Sequence, residues 1–332
     1  TYTKESLSLS FEKNVNTRND FDSWKKNLIS KFQQLHDIPH LEQIRISEIE
    51  KISLETHDNY TITKFSTKAQ DNDQILFYQL VPNEIKNNTP TVFVIPGSGN
   101  QGARDVCNIP SKNSKFYYQN EIGVKLANEG YIVYVIENRG WGERTIHTNF
   151  CDELDPFCSG EVLERQIKNL GFDLVTLQII DTLQIFKSIF TFNINNSQNI
   201  FLLGIGHGGK IALRSSLFMN DLKGLLLSSS LFSTNFFGTF GNGYTNGSLK
   251  YFDNPDLAIT FAPKPMYLSW GLNENTPHRF EAELSYSANM IRSAYSLFNQ
   301  EKNLTSVTHN QTINSGHTAD PSSILSFIKN NI

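Results

Sequence analysis

Residues 201–210, FLLGIGHGGK, constrain the fold of this chain more than any other stretch. An apolar run passes into glycines at 204, 206, 208 and 209, and the following KIALRSSLF spaces its apolar residues as a helix does. A strand, a tight turn and a helix in immediate succession belong to a parallel sheet, where the bend lifts one side chain above the strand ends. The lifted position is Gly206.

Aligned on its glycines, the elbow pattern G-x-S-x-G falls on Gly204, Ile205, Gly206, His207 and Gly208. Here the chain resembles the α/β-hydrolase superfamily, and within it the acetyl (xylan) esterase and dienelactone-hydrolase-like branch, whose elbows often read like GISHGG. The resemblance covers nearly the whole chain, with glycine where the nucleophilic serine belongs. It implies an α/β-hydrolase fold over residues 1–332 as a single domain: a mostly parallel central sheet, helices on both faces and an antiparallel N-terminal edge. It further implies a small-molecule ester as substrate and no cofactor.

Composition is compatible with that reading. A chain of 332 residues, 39% hydrophobic, suffices for one large α/β core, and no Pro/Gly/Ser linker divides it. A net charge of -4 with 19% charged residues leaves no electrostatic footprint for nucleic acid or an anionic membrane. No apolar segment is read as a membrane span, and the N-terminus TYTKESLSLS lacks the blocks of an intact signal peptide. The expectation is a soluble protein, secreted or periplasmic ahead of cytoplasmic, with an upstream piece cleaved or left out; a homo-oligomer stays open. Cys107, Cys151 and Cys158 are too few for a disulfide framework and form no CxxC pair. Cys151 and Cys158 flank a turn-rich loop and are either one disulfide or free thiols. Sequons at Asn59, Asn87, Asn195, Asn246, Asn303 and Asn310 are what an Asn-rich chain generates by chance.

Residues 20–37 place Phe21, Trp24, Leu28, Phe32 and Leu35 at helical spacing, a packing helix without chemistry. ISLETHD, YTITKFST and QILFYQLV then alternate as antiparallel strands, and residues 91–95 form the first buried central strand. The loop after it, residues 97–102, stands where the superfamily takes one oxyanion N–H donor, with Ser98 or Gly99 as the candidate. Residues 120–130 read as a helix and YIVYVIE as a strand, followed by NRGWGER, residues 138–144. The branch carries a similar R-G-x-G turn that props the loops around the site, so Arg139 is read as structural ahead of a substrate-carboxylate role. Trp141 in that turn is a candidate substrate contact.

Residues 145–160 look irregular, and residues 161–190 carry one long helical pattern containing Asp173 and Asp181, each read as support for a neighbouring loop. After the elbow, LKGLLLSSS is the next buried strand. Residues 231–255 are rich in Phe, Tyr, Gly and Asn; they suit a cap or lid, or equally an aromatic-pinned loop or a subunit contact. Phe236, Phe237 and Tyr244 there are candidate substrate contacts.

Residues 265–270 form a strand, and the resemblance puts the triad acid at Glu274, where the branch has a G-L-x-D segment; Asn273 and Asn275 on either side leave a one-residue shift open. A helix over 282–298 and a strand over 305–312 lead to His317, in the loop expected for the catalytic histidine. The order elbow, acid, histidine is that of the superfamily. His207 is read as the second oxyanion donor through its amide, and no His/Asp/Glu spacing supports a metal role for it.

Three explanations of Gly206 compete: a serine-to-glycine substitution that traps a ligand, a family member that lost hydrolysis, or chemistry without a covalent intermediate. Retention of His317 and Glu274 favours the first or the last, because both lose their purpose without a proton to move. The expectation is an ester hydrolase with little or no covalent turnover as it stands. The alternatives are a non-catalytic small-ligand-binding pseudo-hydrolase, or a lyase or C–C hydrolase using His317.

Overall fold

The computed structural model describes residues 7–86, 88–99, 101–110, 118–146, 158–191, 198–231, 247–274 and 279–332. Among the described residues nine strands form one sheet: β1 (Glu50–Thr56), β2 (Tyr60–Lys68), β3 (Gln74–Pro82), β4 (Thr91–Ile95), β5 (Ile132–Ile136), β6 (Ile200–Ile205), β7 (Gly224–Ser228), β8 (Met266–Gly271) and β9 (Leu304–His309). Their order is β1-β2-β3-β5-β4-β6-β7-β8-β9. β1, β2, β3 and β5 pair antiparallel in succession, and every pair from β5 through β4 to β9 is parallel. The antiparallel edge and parallel centre are those of the α/β-hydrolase fold.

Along the helices, α1 (Phe11–Asn14) and α2 (Arg18–His36) come first, then α3 (Ala103–Val106), α4 (Ile122–Asn128), α5 (Cys158–Asn169), α6 (Leu174–Thr191), α7 (His207–Ser215), α8 (Asn254–Ile259), α9 (Arg279–Ser296) and α10 (Pro321–Asn330). The sheet is covered on both faces, and the period-2 alternation of its strands assigns each side chain to one of two cores. Phe93 and Ile95 face a core shared with Phe21, Trp24, Leu28 and Phe32 of α2 and Ile179 and Leu183 of α6. Val92 and Val94 face the other, with Leu126 of α4 and Ile324, Phe327 and Ile328 of α10. In α2 the apolar stripe starts behind a capping box in which Asp20 pairs with Thr17, and it stops at Asp37 in the left-handed conformation, φ 48°.

Two expectations change. The pattern over residues 161–190 is two helices, α5 and α6, the first beginning at Cys158, within the stretch read as irregular. Gly171, at φ 86°, takes the left-handed turn that separates them. The 18-residue α6 is also long and apolar enough to match a membrane span, but 78% of that stretch is buried, so its apolarity serves the core. Cys158 is disulfide-bonded, while Cys107 is a buried free thiol. Cys151 and the stretch 232–246, with Phe236, Phe237 and Tyr244, lie outside the described residues.

Successive parallel strands reach β5 on one side of β4 and β6 on the other, so the direction of winding reverses at β4. A crevice opens at the carboxyl ends of strands at such a switch point. The loops that follow β4, β5, β6, β7, β8 and β9 carry Ser98, Arg139, Gly206, Ser229, Glu274 and His317 respectively.

Candidate active site

Gly206 sits between β6 and α7 at φ 53° and ψ −119°, a conformation that costs a side-chain-bearing residue strain and that the elbow requires. Its amide donates to Ser228 O on β7 at 2.9 Å, which ties the bend to the neighbouring strand. Gly208 lets the first turn of α7 approach β4: a Cβ there would stand 2.1 Å from Ile95 O and 2.3 Å from Pro96 O, both backbone atoms that cannot move aside.

His317 faces this bend. Its Nε2 is 2.8 Å from the place where a Cβ on residue 206 would stand. Its Nδ1 bonds Glu274 Oε1 in a short contact, and Glu274 Oε2 accepts from the Gly271 amide at 3.2 Å and Ser229 Oγ at 3.4 Å. With Nδ1 donating to a carboxylate, Nε2 is the nitrogen that can accept a proton on the Gly206 side. The imidazole is 34% exposed and the Glu274 side chain 6%, so the carboxylate is buried and the imidazole open to solvent. Glu274 itself, rather than a residue one place along, makes the contact.

The loop after β4 is laced on every side. Gly97 N donates to Gln119 Oε1 at 2.7 Å, Gln119 Nε2 returns to Gly102 O at 2.9 Å, Asn138 Nδ2 bonds Pro96 O at 2.6 Å, and Gly142 N bonds Gly99 O at 3.0 Å. Neither the Ser98 amide nor that of His207 donates to another described residue. The Gly97 amide is spent on Gln119, so it is no candidate for an oxyanion.

The His207 ring is a support. Nε2 bonds Gln178 Oε1 at 3.0 Å, and Gln178 Nε2 donates to Arg139 O at 2.8 Å. Burial, with Lys210 and Arg214 nearby, holds the imidazole down to about 3, and it stays neutral. Trp141 departs from the substrate-facing role expected of it: it is 1% exposed, its ring lies edge-on to His207, 5.9 Å between centroids, and a Cβ on Gly160 would stand 2.1 Å from it. The indole is wedged between α5 and α7.

Arg139 is structural. Its guanidinium bonds both Asp181 oxygens, at 3.2 and 3.1 Å, and both oxygens of Asp71. Arg144 joins Asp181 at 2.8 Å and Asp73 at 2.7 Å. Glu137, at the end of the apolar β5, has no counterpart in the sequence reading. Fully buried, it accepts from the amides of Ala103 at 3.1 Å and Glu143 at 3.2 Å, fastening the β4 and β5 loops to each other. Burial pushes its carboxyl up to about 8.

These buried groups predict how stability depends on pH. His36 and His207 are held by burial at about 3 against an ordinary 6.5, so the unfolded chain binds more protons and stability falls as pH drops from 6.5 toward 3. Glu137, at about 8 against 4.5, and Asp256, raised by burial to about 7 against 3.8, do the opposite: their contribution is whole in acid and is lost as pH rises toward 8. The two pairs offset one another from roughly 4.5 to 6.5. Below that window the imidazoles are no longer offset, and stability falls as they become protonated on unfolding. The depressed carboxyls of Asp71 and Glu143, whose contribution is also lost in acid, steepen that limb. Urea midpoints across pH 3 to 9 should peak on the acid side of neutrality and fall on both sides; a midpoint flat from pH 5 to 3 would contradict the assignment.

The Abhydrolase family model matches residues 4–172, just over half of the chain. No curated protein matches it. Among solved structures, a candidate acetyl xylan esterase from Bacteroides fragilis superimposes with a TM-score of 0.74 at 16% identity, covering 92% of this chain and 80% of that one. A glucuronoyl esterase from Solibacter usitatus does so at 0.65 and 10% identity, covering 95% and 94%. An acetyl xylan esterase from a Paenibacillus species follows at 0.56 and 14%, covering 99% and 98%. At these identities the likeness is one of fold. The family match, the sheet order and the bend after β6 agree: the chain belongs to the Abhydrolase family of α/β-hydrolases.

Proposed function

We propose that this chain carries a carboxylic-ester hydrolase site of the Ser-His-Glu type in which position 206 lacks the nucleophilic hydroxyl. The observation that carries the reading is the placement of His317: Nδ1 on Glu274 and Nε2 2.8 Å from where a side chain at 206 would begin. Glu274 holds the imidazole tautomer, His317 serves as general base, and the amides of Ser98 or Gly99 and of His207 are the candidate oxyanion donors. Structural neighbours named as acetyl xylan and glucuronoyl esterases favour a small sugar-linked ester as the ligand.

Without a hydroxyl at 206 no acyl-enzyme forms, and only the modest acceleration of binding and oxyanion stabilisation is left. The same 2.8 Å separation favours a second reading, a ligand-binding pseudo-hydrolase, because the imidazole stands closer to residue 206 than a side chain there allows. Hydrolysis of 4-nitrophenyl acetate and of acetylated xylo-oligosaccharides by the unsubstituted chain and by Gly206→Ser separates the two. Turnover that appears with the serine supports the ester site, whereas binding without turnover in both proteins supports the pseudo-hydrolase.

A further inference from the structure

No sequence pattern singles out Tyr118, yet the loops of Ser98 and His317 and the helix α3 are all fastened to it. Its hydroxyl donates to Ser98 O at 2.8 Å, and its amide donates to Asp105 Oδ2 at 2.6 Å. Its carbonyl accepts from the hydroxyl of Thr318, the residue after His317. The ring is 3% exposed and lies 5.6 Å from the His317 imidazole, centroid to centroid. A Cβ on residue 97 would stand 1.8 Å from the Tyr118 hydroxyl oxygen, so glycine at 97 is what lets that hydroxyl reach Ser98 O. The same oxygen is 3.7 Å from the Cβ position of residue 206.

Ser98 C=O and Gly99 N–H share one rigid peptide plane, and the Ser98 N–H flanks it. A hydrogen bond that fixes the carbonyl therefore fixes the direction of the Gly99 amide and limits that of Ser98. We propose that Tyr118 is a positioning residue: its hydroxyl sets the Ser98–Gly99 peptide, and its carbonyl anchors the loop of His317, so that oxyanion donors and base hold one register over position 206. The oxyanion part rests on the ester-hydrolase reading; the coupling of the two loops does not. Burial pushes the phenol well above its ordinary value, which keeps it a donor at every working pH.

Tyr118→Phe removes the hydroxyl and keeps the ring. In the chain with Gly206 intact, amide hydrogen exchange followed by mass spectrometry should rise about tenfold in peptides covering residues 97–103 and stay unchanged over β4 and β6. In a Gly206→Ser background the same change should lower kcat on the order of tenfold and leave KM within twofold. A merely structural tyrosine would instead raise exchange throughout the sheet, or move kcat and KM together, and either result overturns the proposal. Unchanged exchange over residues 97–103 overturns it as well. An inactive Gly206→Ser protein sinks the ester-hydrolase reading alone, since the exchange comparison still decides whether Tyr118 holds the loop.

Discussion

Gly206→Ser should raise the rate of aryl acetate hydrolysis at least about a hundredfold, and Gly206→Ser/His317→Ala should lose the gain. Removing the serine from an evolved triad costs on the order of 10⁶ in kcat, so the regain has ample room. It will fall short of that figure because the imidazole stands too close. At 2.8 Å from the Cβ position, closer than any real Cβ contact, the Nε2 end of the ring must shift. The ring can do so, being 34% exposed and held at one end by Glu274. Stability should move the other way: at φ 53° a serine costs about 1–3 kcal/mol relative to glycine. Activity gained while the urea midpoint drops is the joint signature of an elbow that needs a strained residue; a stabilised, inactive variant would mean that the bend no longer serves acyl transfer.

Asp181→Ala should lower global stability by about 3 kcal/mol. The carboxylate lies between the guanidinium groups of Arg139 and Arg144, with side-chain exposures of 4%, 9% and 4%. Its removal leaves two buried cations leaning on Asp71 and Asp73, which are 46% and 49% exposed and already paired. Breaking a buried ion pair by deleting one partner is costly because the other charge stays desolvated. Asp71→Ala, at the solvent side of the same network, should cost under about 1 kcal/mol. Urea denaturation of the two variants checks the contrast, and equal effects would place the network's weight elsewhere. Through Arg139 O, Gln178 and His207, the loss should also loosen the start of α7.

How much of this could be read beforehand follows from what each residue's role depends on. The elbow was legible because its requirement is local: glycines at 204 and 208 answer backbone contacts of the bend and the adjacent strand, and glycine at 206 answers the φ of the bend itself. The switch from alternation in β1–β3 to continuous apolar runs in β4–β8 likewise announced an antiparallel edge and a parallel centre. Chain order brought Glu274 and His317 into consideration, and the structure sets them together. Asp181 was legible as a support, though its two arginine partners were not, since they come from a turn about forty residues away. Glu137 and Tyr118 were silent. One ends an apolar strand and the other stands in a stretch of sequence without periodicity, and their roles exist only through backbone groups of Ala103, Glu143 and Ser98 that no side-chain pattern marks. Trp141 misled because an aromatic residue in a glycine turn reads as exposed, whereas Gly160 clears the space that buries it.

The most direct test of the account is covalent. Gly206→Ser, Gly206→Ser/His317→Ala and the unsubstituted chain would each be exposed to a small fluorophosphonate and weighed intact. The account predicts one phosphonyl adduct, mapped to position 206, on the first protein, a much slower adduct on the second and none on the third. An unlabelled Gly206→Ser protein, or an adduct on the chain that has no serine at 206, would contradict the central claim that only the nucleophile is missing from this site.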